Sequence, residues 1–383
     1  MWRFFRKNAQ SIPIMKHLLT GLYALLCTAA MAQQSPTVRY ANRLTPVPQY
    51  VCQRTPSPLH IDGRLDEAAW QQAADITHFV DISGGNHPAP RYHTTAKMLW
   101  DDDYLYVAAV MEEPHVWATL TKRDTIVYHD NDFEVFIDPD GDGHNYFEIE
   151  VNALNTVFDL SLTHPYRAPH RPFVQFQWNC PGLLVATSVQ GTLNDPSDTD
   201  RGWTLEMAIP RQALASEFER VLETGKMLRI GFSRVQWQHS IDAAGRYVKK
   251  KDRNGRQLRE DNWTWGATGL VAMHMPERWG CVQLSPTTAG TAPEAFRSMA
   301  DAAERRLLWA GFYAQEDFFK RRHRYAATLK ELGFTNADFQ TLPKGVRLQL
   351  ETTSRTYQLF AVYANGKRLT VNEMGRICSN GEN

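Results

Sequence analysis

Residues 128–160 read YHDNDFEVFIDPDGDGHNYFEIEVNALNTVFDL, two strand-like runs flanking a loop so acidic and rich in glycine that it must be exposed. On the first run Phe133, Val135 and Ile137 alternate with Asp132, Glu134 and Phe136. On the second Phe147, Ile149 and Val151 alternate with Tyr146, Glu148 and Glu150. Period-two alternation predicts a β-hairpin with one apolar face and one acidic, aromatic face. The simplest register opposes Ile137 to Asn145, and therefore Glu134 to Glu148 and Asp132 to Glu150. Carboxylates opposed on one sheet face repel unless a cation, an Arg or ligand hydroxyls lie between them. Such a face is expected to be in use.

Three uses compete. The loop Asp138-Pro-Asp140-Gly-Asp142-Gly places acids at alternate positions followed by glycine, as calcium loops do, because hard cations want several oxygens from a sharply turned backbone. An EF-hand proper is excluded, since Ile149 stands where its bidentate Glu belongs and the flanks are strands. A structural calcium on Asp138, Asp140 and Asp142 and a plain Asp/Gly turn both stay open. The second use is hydrolysis by a carboxylate pair, Glu134 with Glu148 or Glu150, at roughly the 5 Å spacing of a retaining glycosidase. The third is binding of a polyhydroxylated ligand, with carboxylates accepting hydroxyl hydrogen bonds and rings packing on its apolar faces.

The 383 residues are 43% hydrophobic, and Lys+Arg 42 balances Asp+Glu 42. That length allows a large core and a smaller one, and the charge balance argues against nucleic acid as a partner. Met15-Lys16-His17, an apolar run from Leu18 to Ala30 and the small-x-small Ala30-Met31-Ala32 predict a signal peptide over 1–32, with translation starting at Met15 as an alternative. The run is shorter than the roughly 20 residues of a spanning helix, so no transmembrane segment is expected after cleavage, and Leu26 argues against lipidation of Cys27. Export to the periplasm, cell surface or medium follows as an expectation. There Cys52, Cys180, Cys281 and Cys378 are either free thiols or disulfides of three possible pairings.

Residues 33–49, polar with prolines, read as a linker. Beyond them come a strand at 50–53, one helical turn ending at Trp70, read as a core plug, and a hairpin of 95–100 with 104–111. Further strands are predicted at 155–161, 173–178, 183–190, 203–209 and 228–237. Many short strands with Pro, Asp and Gly between them predict a mainly β protein, an antiparallel, jelly-roll-like β-sandwich over 50–286. A second linker, 287–293, leads to a helix over 294–323, with Phe296, Met299, Ala303, Leu307, Ala310 and Tyr313 on one stripe, and then to strands at 346–352, 356–363 and 367–371. This makes 294–383 a small α+β domain that loosely resembles the soluble domains of pilin-like proteins.

The ordered segments IDGRLDEAAW (61–70), MLWDDDYLYVAA (98–109), NDFEVFIDPDGDG (131–143), GWTLEMAIP (202–210), RIGFSRV (229–235), NWTWG (262–266) and ERWGCVQL (277–284) together resemble the family 9 carbohydrate-binding modules and their stand-alone relatives. The resemblance implies a sandwich that clamps a terminal sugar between two aromatics, with calcium supporting its loops. Carried over residue by residue, one clamp aromatic falls on Tyr128 and the strand acid on Glu134, while Trp263 and Trp265 are offered for the second clamp. The family's basic residue falls near Glu150, with Asn152 one pleat further. Arg234 and Gln236, on one strand face, are placed to approach Glu134 and Glu148, either to hold ligand or to neutralise them. The expected function is carbohydrate binding connected with polysaccharide breakdown or uptake. Its rivals are a glycoside hydrolase and a structural or adhesion protein of the envelope.

Overall fold

The computed structural model describes residues 34–85, 87–214 and 222–380. The expected signal peptide, with Met15 and Cys27, lies outside the described residues. Among the described residues no helix is long and apolar enough to cross a membrane.

Chain order gives β1 (Gln49–Arg54), β2 (Phe79–Asp81), β3 (Thr94–Trp100), β4 (Tyr104–Glu112), β5 (Asp132–Asp138), β6 (Tyr146–Asn152), β7 (Val157–Leu162), β8 (Val174–Gln175), β9 (Leu184–Gln190), β10 (Gly202–Pro210) and β11 (Met227–Gln236). A small hairpin, β12 (His239–Ile241) and β13 (Tyr247–Lys249), precedes β14 (Asp261–Trp265) and β15 (Gly280–Thr288). Their ladder runs β8-β7-β6-β5-β11-β15-β1-β3-β4-β10-β9, with β14 and β2 branching from β11. Pairing is antiparallel except where β1 joins β15 and β3. The two ends of the ladder face each other across one core, with Phe133, Val135 and Ile137 of β5 opposite Val107 and Met111 of β4 and Leu205 and Met207 of β10. The chain is therefore a mainly β sandwich. Trp70 plugs its far side, fully buried, its Nε1 donating to Glu206 Oε1 at 2.8 Å.

The central hairpin corrects the expected register by one pleat. Glu134 opposes Glu150, Asp132 opposes Asn152 and Ile137 opposes Phe147. The cause lies in the loop. Asp138 accepts from the amides of Gly141 and Gly143, both at positive φ, and Asn145, at φ 49°, gives its amide to Thr163 O, so it leaves the hairpin ladder. A shift of two residues keeps each side chain on its predicted face.

The second domain packs a helix, Ala302–Arg322, on a four-stranded meander, β16 (Arg347–Thr352), β17 (Tyr357–Val362), β18 (Arg368–Asn372) and β19 (Ile377–Ser379). Leu307, Phe312 and Tyr313 meet Leu359, Ala361 and Val371 in its core. The helix starts later than its periodicity suggests because residues before it bind elsewhere. Gln283 holds the Arg297 amide at 2.7 Å and the Glu294 carboxylate at 2.6 Å. The expected linker is likewise structured over its described residues, 34–49. Pro36 opens a short helix, and Tyr40, 5.6 Å from the Tyr313 ring, donates to Asp317 Oδ2 at 2.6 Å. Cys52, Cys180 and Cys281 are free and buried, and Cys378 is free and exposed.

The two domains meet through charge. Within the sandwich Arg167 Nη2 donates to Glu277 Oε2 at 2.8 Å, and the second domain meets this pair through the Tyr313 hydroxyl, which donates to Glu277 Oε1 at 2.7 Å, and through the Phe312 ring, 5.0 Å from the Arg167 guanidinium. Arg376 Nε reaches Asp142 Oδ2 at 2.6 Å.

Candidate functional site

The polar face of β5, β6 and β7 floors a cleft of about 390 Å³. Glu134, Phe136, Glu148, Glu150, Phe158 and Leu160 line its bottom, and Tyr128, Tyr166, Phe176, His274 and Glu260 its walls. Tyr128, Tyr166 and Phe176 are 37%, 47% and 54% exposed, so each offers ring surface to a ligand while the carboxylates below are buried. Tyr166 is steadied by the His274 ring, edge-on at 4.6 Å. His274 is in turn hydrogen-bonded through Nδ1 to the Tyr146 hydroxyl at 2.9 Å. Burial pushes His274 down to about 4, so it is neutral at ordinary pH and brings no charge to Glu148 Oε2, 3.8 Å away.

Burial, reinforced by the Glu150 charge, raises Glu134 to about 8. Burial and the Glu134 charge raise Glu148 to about 8, and Glu150 is raised well above the usual range by burial and Glu148. Glu150 Oε2 accepts the Tyr128 amide at 2.9 Å, which fixes the wall aromatic to the floor. A carboxyl raised in this way keeps its proton to higher pH, and in that form it can donate to a ligand's hydroxyl as well as accept from one.

Several expected site residues lie elsewhere. β14 presents Asn262 to the cleft, and Trp263 and Trp265 point to the opposite face. Trp265 is 5% exposed, stacked on Phe232 at 5.6 Å and edge-on to Tyr50. Its ring lies so close over Gly280 that a Cβ there would come within 2.4 Å. Trp263 sits under the Arg234 and Arg91 guanidiniums, 5.2 and 5.3 Å from its centre. Arg234 does not reach Glu134 or Glu148. It is 3.7 Å from Glu113 and donates to Glu112 O, Thr94 Oγ1 and Gln236 Oε1, while burial pushes it down to about 10. Asn152 is fully buried and its amide is spent, donating to Leu120 O and Asp130 Oδ2 and accepting from the Leu154 and Thr156 amides. Tyr128, Glu134, Glu148 and Glu150 do come together. Tyr166 and Phe176 escaped sequence reading because they belong to a Pro-rich loop and to the turn after its two-residue edge strand, where the one signal was an aromatic among polar neighbours.

The three loop acids also converge, with one oxygen from each of Asp138, Asp140 and Asp142 within 4.8 Å of the others. Calcium would suit so many oxygens. Their charge is partly met already, by the Gly141 and Gly143 amides at Asp138 and by Arg376 at Asp142.

The model of the carbohydrate family 9 binding domain-like family matches residues 61–287, more than half of the chain. The chain belongs to this family. It carries a carbohydrate-binding module of the family 9 type, and the cleft lies within the matched residues. Over 150 residues, 39% of this chain and 11% of that one, it is 31% identical to the exoglucanase XynX of Acetivibrio thermocellus. Over 150 residues, 39% of this chain and 10% of that one, it is 34% identical to endo-1,4-beta-xylanase A of Thermoanaerobacterium saccharolyticum. The chain thus spans about a tenth of the length of these curated relatives. Among solved structures, the chain is similar to a family 9 module from Caldicellulosiruptor kristjanssonii in complex with cellotriose (14% identity, TM-score 0.40, 65% of this chain and 100% of that one). It is also similar to a module from that organism in complex with glucose (14% identity, TM-score 0.38, 63% and 98%).

Proposed function

We propose that this family 9 protein binds the end of a glycan in the cleft over β5, β6 and β7, without turning it over, as an accessory to polysaccharide breakdown or uptake. The observation that carries the reading is the arrangement of three exposed rings around a carboxylate floor, since sugars present apolar ring faces to aromatics and hydroxyls to acids. Tyr128→Ala and Tyr166→Ala are each expected to weaken oligosaccharide binding by about 1–3 kcal/mol, read by calorimetry on glycans selected from an array, with the fold unchanged by circular dichroism. Unaltered affinity in both variants sinks this cleft as the site.

The hydrolase alternative keeps the same acids but needs one of them ionised as nucleophile or base while its partner stays protonated. Here burial raises all three of Glu134, Glu148 and Glu150, which favours binding over turnover. Sustained release of reducing ends that Glu134→Gln abolishes would reverse that preference.

The loop Asp138, Asp140 and Asp142 is proposed to hold a structural calcium, supported by its three converging carboxylates and the glycines that turn it. Asp140→Ala is expected to reduce the calcium bound per chain by one in equilibrium dialysis. An unchanged count reduces the loop to an Asp/Gly turn.

A further inference from the structure

Asp132 is the acid of the β5 polar face that neither carbohydrate binding nor the Asp138 loop employs. It is fully buried, and neither oxygen completes a hydrogen bond, although the Val235 amide across the ladder eases its charge. A carboxylate removed from water without a partner is among the most costly groups a fold can hold. Its neighbours compound the problem. Glu134 lies two residues along on the same face, Glu150 lies directly across from Glu134, and one oxygen from each of the three comes within 4.8 Å of the others.

Among the described residues no Lys or Arg forms an ion pair with any of the three. The described residues lining the cleft include neither Lys nor Arg. Arg234 is engaged with Glu113 on the other face, and Lys249 sits on the Trp237 ring, 3.5 Å from its centre.

We propose that Asp132, Glu134 and Glu150 hold one hard divalent cation of the calcium class on the floor of the cleft. Calcium takes oxygens at 2.3–2.6 Å, so two ligands on opposite sides of one ion stand up to roughly 5 Å apart, and the observed spread fits inside that limit. A donor set of carboxylate oxygens alone suits calcium, whereas softer metals favour nitrogen and sulfur. Asp132 serves from beneath, and Glu134 and Glu150 from the cleft floor. The coordination positions on the cleft side are left to water or to a ligand hydroxyl. The site is separate from the Asp138 loop and does not rest on the carbohydrate reading, because the ion can be counted with no sugar present.

The test uses the full chain, stripped with chelator and titrated with calcium alone. Asp132→Asn, which keeps the shape and removes the charge, is expected to bind one calcium fewer than wild type, and Asp140→Ala is expected to retain this ion. In chelator, Asp132→Asn should melt at or above the wild-type temperature, and it should lack the upward shift that the ion at this site gives wild type. Glu150→Gln provides a second variant should the first fail to fold, and it must lose the same ion. Equal calcium counts in wild type and whichever variant folds would overturn the proposal, as would a wild type that binds nothing beyond the ion Asp140→Ala removes. Glycan affinity is measured on the same preparations, so failure of the cation leaves the carbohydrate reading standing, and the converse holds.

Discussion

Trp265→Ala is expected to cost about 3–5 kcal/mol of folding stability, the range for removing a large aromatic from a packed core, and to leave glycan affinity of the folded protein within about twofold. The ring is 5% exposed, rests on Phe232 and Tyr50, and covers the backbone of Gly280, so its loss opens a void between β11, β14 and β15 that backbone cannot fill. Urea unfolding followed by far-UV circular dichroism gives the first quantity, and calorimetry at low temperature the second. A variant of near wild-type stability with affinity reduced tenfold or more would return Trp265 to the ligand, against the face on which β14 places it. Tyr128→Ala and Tyr166→Ala make the converse pair, because their rings stand partly in water and their removal leaves no buried void.

Arg167→Ala is expected to destabilise the junction between the domains by about 3–5 kcal/mol, since it leaves Glu277, 2% exposed, as a buried charge without its cation. Burial alone would raise Glu277. The charge and hydrogen bonds of Arg167, together with the Tyr313 hydroxyl, outweigh burial and hold it below its ordinary value. A carboxyl depressed in the folded state contributes stability that is present above its unfolded pKa and is lost as pH falls through the folded value. The junction should therefore loosen on acidification below the ordinary glutamate range, and the variant should lack that dependence because the depression is gone. Hydrogen exchange in residues 302–322 and in the loop 163–173 reports on both sides of the junction. Equal protection in variant and wild type at neutral pH would remove the ion pair from any structural role. Tyr166 adjoins Arg167 in the chain, so the variant should also weaken glycan binding, which makes the second domain a brace for one wall of the cleft.

The order of motifs and the alternation in β5 and β6 were enough to read a mainly β sandwich with one acidic, aromatic face, because a period of two sorts side chains onto faces whatever they later pack against. Tyr128, Glu134, Glu148 and Glu150 were legible for that reason. The exact pairing was not. Residues 138–145 are held by side-chain hydrogen bonds to amides and by the contact of Asn145 with Thr163, which chain spacing does not reveal, so the register differed by one pleat while the faces stayed as read.

Alternation also cannot say which face looks inward. Trp263 and Trp265 share a face in any strand, but only the placement of β14 between β11 and β2 turned that face to the core and gave the cleft Asn262 instead. The same distinction explains Arg234. Its partner Glu113 follows directly on the end of β4, a pairing made by the sandwich closing on itself. Tyr166 reaches the cleft beside Arg167, which Glu277 holds, and Phe176 reaches it just after β8, which pairs with β7 at the sheet edge. What the sequence alone determined was which side chains travel together along a strand. What only the tertiary structure decided was which neighbour each shared face met, because that depends on contacts between segments far apart in the chain.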